Sequence, residues 1–139
     1  MRFEEATPEQ QELDRLTVQA IIEHMKQNMP TITYGELAKA IEEKRNKPMA
    51  PQGTAHSLGR IQEYCEEHGL PILSAMVVSK DQKEPSDGFF VAFEDVRGAA
   101  GKTEEEIIHK EQGACINCSD WSSLYEYMGI KAPESVKAD

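Results

Sequence analysis

Cys65-x-x-His68 and Cys115-x-x-Cys118 are the side chains of this 139-residue chain whose spacing best matches metal chemistry. Residues three apart on a helix share a face, and three thiolates with one imidazole make a tetrahedral zinc set. The alternative has Cys65 in a core beside Tyr64, His68 at a helix end and the other two cysteines incidental. Two widely separated pairs are weaker evidence than two tight knuckles, so no metal is assigned. Cys115-Ile-Asn-Cys118 also has the form of a redox dithiol, but the βαβ setting of such motifs is missing. Glu104-Glu105-Glu106 could act as ligands or as acid and base. In a helix first turn, however, three carboxylates are explained by the helix dipole. His24 and His109 lack evident partners, which favours structural roles. Gly98, Gly101 and Gly113 make no phosphate loop, because no Gly-x-x-x-x-Gly-Lys-Ser/Thr run exists. No nucleophile–base pair is legible, so neither a catalytic residue nor a cofactor is expected.

What remains is binding. The formal net charge is −10, from 15 basic and 25 acidic residues, which argues against coating nucleic acid by bulk charge. Residues 31–60 run the other way, with Lys39, Lys44, Arg45, Lys47 and Arg60 against Glu36, Glu42 and Glu43. This is either a solvated lysine-rich loop or a phosphate-binding segment. Residues 61–95 concentrate acid: Glu63, Glu66, Glu67, Asp81, Glu84, Asp87, Glu94 and Asp95 against Lys80 and Lys83.

The length suits a single domain. Three cysteines, an odd number, make no disulfide framework and point to a reducing cytoplasm. The apolar stretches are too short for a membrane span, and Met1-Arg2-Phe3-Glu4-Glu5 lacks the apolar core of a secretory signal. Thr7-Pro8-Glu9-Gln10 reads as a capped helix start, with Leu13, Leu16, Thr17, Ala20, Ile21 and Met25 on its buried face and Pro30 beyond its end. Thr33-Tyr34-Gly35-Glu36 opens a second helix with Leu37, Ala38 and Ile41 inward. After a loop with Pro48 and Pro51, a third helix is expected from Thr54 to His68, with Gly69 as its stop. Residues 72–79 predict a strand, Lys80 to Gly88 a connection, and Phe89 to Phe93 the returning strand of a hairpin. Thr103-Glu104-Glu105-Glu106 caps a further helix, and Asp120 a last one from Trp121 to Met128, closed by Gly129.

Three helices and then a hairpin is the element order of a winged helix. The predicted fold class is therefore α+β, a winged helix-turn-helix core at 31–95. An N-terminal helix lies in 1–30, C-terminal helices in 96–130, and a flexible tail at 131–139.

Ile32-Thr33-Tyr34-Gly35-Glu36-Leu37-Ala38 resembles the start of the winged-helix domain of alkylguanine-DNA alkyltransferases and alkyltransferase-like proteins. Ala55-His56-Ser57-Leu58-Gly59-Arg60 is similar to their recognition-helix segment, and Gly69-Leu70-Pro71-Ile72-Leu73, Val77-Val78 and Asp87-Gly88 continue the register. The likeness spans about residues 31–90. It departs where that family holds its nucleophile, Pro-Cys-His-Arg: here Ser74-Ala75-Met76 supplies neither thiol nor histidine, which excludes alkyl transfer. His56 stands where the family places its base-flipping arginine. A wider pattern also resembles small uncharacterised winged-helix proteins of bacteriophages and of restriction or defence loci.

Two functions follow. The resemblance implies a non-catalytic module for double-stranded DNA. Thr54, His56 and Ser57 would face base edges while Lys44, Arg45, Lys47 and Arg60 hold phosphates. Lys80 and Lys83 could add contacts. The overall charge instead favours a regulator or inhibitor of a basic protein, phage-encoded for example. Glu63, Glu66, Glu67, Asp81, Glu84 and Asp87 would then be its binding residues.

Overall fold

The three capping boxes read from the sequence set where three of the helices begin. In the computed structural model, residues 2–27, 30–81, 83–85, 89, 90, 93, 103–118 and 120–130 are described. Thr7 accepts from the Gln10 N–H while the Gln10 side chain accepts from the Thr7 N–H, and α1 follows from Pro8–Met25. The same reciprocal pair, Thr33 with Glu36, opens α2 at Tyr34–Arg45. Each box satisfies two backbone donors that a helix start leaves without partners. Asn46 ends α2 in the left-handed conformation. A 3-10 turn, Pro51–Thr54, then leads into α3, Ala55–Glu67.

The segment expected as one strand divides. Leu73–Met76 is a 3-10 turn, and only Val77–Val78 is extended, as β2. Its partner is β1, Ile32–Thr33, in parallel, with Ile32 opposite Val77 and Thr33 opposite Val78. The expected hairpin is thereby corrected. The described members of the proposed return strand, Phe89, Phe90 and Phe93, are helical, and all three are buried. Positions i, i+1 and i+4 lie on one helix face, so three phenylalanines enter the core together where a strand would have split them.

Thr103 and Glu106 form the third capping box, opening α4 at Glu104–Asn117. The last helix, α5, runs Ser122–Met128 and stops at Gly129, whose φ of +72° favours glycine. Asp120 supports its start by accepting the Ser122 N–H at 2.9 Å. The described chain is thus mostly helical, with one small parallel sheet, a loose α+β arrangement. Among the described residues no helix is long and apolar enough to cross a membrane. The tail at 131–139, the Asp87-Gly88 turn and residues 94–102 lie outside the described residues.

One apolar cluster joins these elements. Ile21 of α1, Ile32 of β1, Leu37 and Ile41 of α2 and Ile61 of α3 are fully buried, as is the stretch from Ile72 to Val77 apart from the slightly open Ser74. α4 closes over that stretch through three side chains on its inner face. Glu111 Oε2 accepts the Ile72 N–H at 3.0 Å, the Cys115 thiol donates to the Ile72 carbonyl at 3.3 Å, and Gln112 Nε2 donates to the Ala75 carbonyl at 3.0 Å. Where the described residues place no strand on that side, side chains satisfy the buried backbone instead.

Candidate functional site

Along α3, the residues at 57, 60, 61 and 64 share a stripe with Leu58 and Cys65, and that stripe packs on α1. Arg60 lies on it, 5% exposed, and meets Asp14 of α1, which is fully buried. Arg60 Nε is 2.6 Å from Asp14 Oδ2 and Nη2 is 2.8 Å from Oδ1. Ser57 Oγ donates to Asp14 Oδ1 at 2.5 Å, and Thr17 Oγ1 lies 3.2 Å from the same hydroxyl. The carboxylate accepts three hydrogen bonds and the guanidinium is used in a fork, the arrangement that makes a buried ion pair tolerable.

The DNA-facing orientation expected for Ser57, Arg60 and Thr54 is therefore corrected. All three are buried, Thr54 completely. The reason is geometric: Ser57 and Arg60 occupy the inner face of α3, where Asp14 supplies the countercharge, and Thr54 ends the 3-10 turn just before it. Sequence reasoning missed Asp14. Its signal was its spacing, three and four residues before the buried Thr17 and Val18.

The remaining basic residues stay outside. Lys44 Nζ pairs with Glu23 at 3.0 and 3.2 Å. Arg45 Nη2 donates to the Pro48 carbonyl at 3.1 Å and approaches Met49 Sδ at 3.4 Å, while its Nε is buried without a hydrogen-bond partner among the described residues. Lys47 and His56 are exposed.

The outer stripe of α3 runs Ala55, Gly59, Glu63, Glu67 at four-residue spacing. A side chain built at Gly59 would meet nothing within 4 Å, so the first half of the stripe is low and open. Its second half is acidic. Glu63 and Glu66 are half-buried and Glu67 is exposed; Glu66 accepts from Gln62 at 3.3 Å. Asp81 and Glu84 sit in the turn after β2, exposed and half-buried respectively. Asp87 lies outside the described residues.

At the C-terminal end of α3 the acidic stripe borders a shallow cleft. Phe3, Tyr64 and Tyr127 supply aromatic walls and Glu63 and Glu67 carboxylates, and Arg60 reaches it with its charge already met by Asp14. Arg2 enters the cleft, with Nη1 2.7 Å from Glu67 and Nε 2.8 Å from Glu4. Those carboxylates hold the Arg2 guanidinium more firmly charged than usual, and Arg2 in turn pulls the Glu4 carboxyl below its ordinary range.

The four candidate zinc ligands are not assembled: among the described residues no group of three histidine, cysteine, aspartate or glutamate side chains could hold a metal. Cys65 and Cys115 are buried, with the Cys115 thiol pushed far up by burial and by nearby Cys65. His68 is instead stacked on Tyr64 at 4.0 Å, its Nδ1 3.0 Å from the Tyr64 carbonyl. A neutral, buried thiol is also a poor redox nucleophile. At the position of the alkyltransferase nucleophile, Ser74, Ala75 and Met76 are buried, and Ser74 Oγ donates to Gln62 at 3.2 Å. No protein-family model, curated protein or solved structure matches the chain.

Proposed function

We propose that this chain is a non-catalytic recognition module that binds a basic segment of another protein through the exterior of α3. It does so on a frame of helix-turn-helix type formed by α1, α2 and α3. The observation that carries the reading is the inward turn of Arg60. Once that guanidinium is spent on Asp14, the outside of α3 offers no lysine or arginine, only His56, small residues and glutamates. A recognition helix for DNA approaches a polyanion, and an acidic exterior opposes that approach. Against a basic surface the same charges accelerate encounter, as expected for a regulator of a nucleic-acid-processing complex. The lack of a thiol or histidine at 74–76 supports a binding role over alkyl transfer.

A second reading, a module for double-stranded DNA, is favoured by one local feature. Lys47, in the segment between α2 and α3, and His56, in the first turn of α3, are both exposed.

The test uses a fluorescein-labelled arginine-rich peptide, read by anisotropy at about 50 mM salt, where electrostatic contacts are weakly screened. One variant carries Glu63→Gln, Glu66→Gln and Glu67→Gln. A second carries Glu9→Gln, Glu104→Gln and Glu105→Gln, the same charge change elsewhere on the surface. The reading expects the first to lose affinity about tenfold more than the second. Equal losses would mean bulk charge and would refute a specific face.

A further inference from the structure

The cleft at the end of α3 already holds a guanidinium. Arg2 spans Glu4 and Glu67 there, beside an aromatic group in which Tyr64 stacks on Tyr127 at 4.1 Å and Phe3 lies 5.4 Å from Tyr127. Arg15 lies 5.6 Å over the Phe3 ring, so one aromatic side chain of the cleft already meets a cation. Carboxylates at the edge of an apolar lining are the chemistry that recognises an arginine side chain, through charge-assisted hydrogen bonds to its head and packing along its stem.

We propose that this cleft is a subsite for an arginine of the basic partner and that Arg2 occupies it in the free protein as a built-in competitor. The inference rests on the proposed use of the α3 exterior. The chemistry it names is narrower: one guanidinium exchanged for another on Glu67, with Glu63 beside it and Tyr64 and Tyr127 as the wall. The resident pair suits exchange. Arg2 and Glu67 side chains are 43% and 37% exposed, so their bond is screened and water competes for both ends. An incoming arginine regains the contact that Arg2 gives up, and its neighbours in a basic segment meet the rest of the acidic stripe.

The experiment compares Arg2→Ala with Lys110→Ala, an exposed control with the same charge change on α4. The probe is the labelled arginine-rich peptide, titrated under identical salt, with helical content checked by circular dichroism. Removing the competitor is expected to tighten binding about two- to fivefold beyond the Lys110→Ala control, the range expected of a surface ion pair. Glu67→Gln is expected to erase that difference, because the carboxylate for which the two guanidinium groups compete is then gone, Arg2 keeping only Glu4. If Arg2→Ala and Lys110→Ala behave alike while the triple Gln change at 63, 66 and 67 still weakens binding, the face is used but Arg2 is not its competitor, and the inference is overturned. If neither the original chain nor Arg2→Ala binds the peptide, the proposed function fails with it.

Discussion

Arg60 of α3 and Asp14 of α1 form a forked ion pair in the interior, with Ser57 donating to the same carboxylate. The pair fixes the rotation of α3 about its axis and so decides which residues face outward. Removing one partner leaves a buried charge alone, which costs far more than the pair itself contributes. Asp14→Ala or Arg60→Met is therefore expected to destabilise the fold by about 3–5 kcal/mol in urea denaturation. Asp14→Leu combined with Arg60→Met is expected to recover most of that loss. A double variant as weak as the singles would show that the interior needs the charges themselves.

Glu111 is the corresponding anchor for α4. Its carboxylate accepts the buried Ile72 N–H, and Glu111→Ala leaves that donor without this acceptor, at a cost of about 1–3 kcal/mol. Hydrogen exchange should speed up at residues 72–76 and along α4 before it does so in α1 or α2. A uniform change through the molecule would contradict a local anchoring role.

High pH offers a third check. Burial pushes the Cys115 thiol well above its ordinary value of 9.0 and the Tyr125 hydroxyl from 10.0 up to about 12, the latter helped by Glu23. Both groups bind protons more tightly folded than unfolded. Their contribution is intact below the unfolded values and declines as pH rises past them. Stability should fall from about pH 9 upward, and Cys115→Ala with Tyr125→Phe should flatten that fall. Denaturation midpoints measured between pH 7 and 11 read the difference; parallel curves for the two proteins would refute the assignment.

The helix boundaries invite a simpler test. Thr33→Ala removes the hydroxyl that accepts the Glu36 N–H and should cost about 1 kcal/mol. Gly129→Ala must hold a side chain at positive φ and should cost a similar amount. Thermal melts compare both with Gly35→Ala, at an exposed helical position with open space around it, where a small gain is expected.

The helices were legible because their signals are local: a threonine three residues before a glutamine or glutamate, and apolar side chains at three and four. The return strand was misread because Phe89 to Phe93 is too short for periodicity to separate strand from helix. Residues 72–76 misled for another reason. They are buried, so they read as a strand, although Leu73–Met76 is a 3-10 turn and Ile72 and Ala75 bond to side chains of α4. The candidate surface was half visible. Charge located Glu63, Glu66 and Glu67, and the spacing of Asp14 from Thr17 and Val18 places it on the buried stripe of α1, but nothing local announces that it meets Arg60, 46 residues away, and turns it inward. The Arg2 cleft was invisible to sequence, since it joins residue 2 to residues 67 and 127 across the fold.

The most direct measurement is a pair of nuclear magnetic resonance titrations of the ¹⁵N-labelled chain, one with the arginine-rich peptide and one with a DNA duplex, at matched salt. The account expects the peptide to shift the amides of Gly59, Glu63 and Glu67 together with Arg2, and the duplex to leave α3 unmoved. Shifts at Arg45, Lys47 and His56 on adding the duplex, with no response of α3 to the peptide, would contradict it and establish the DNA reading in its place.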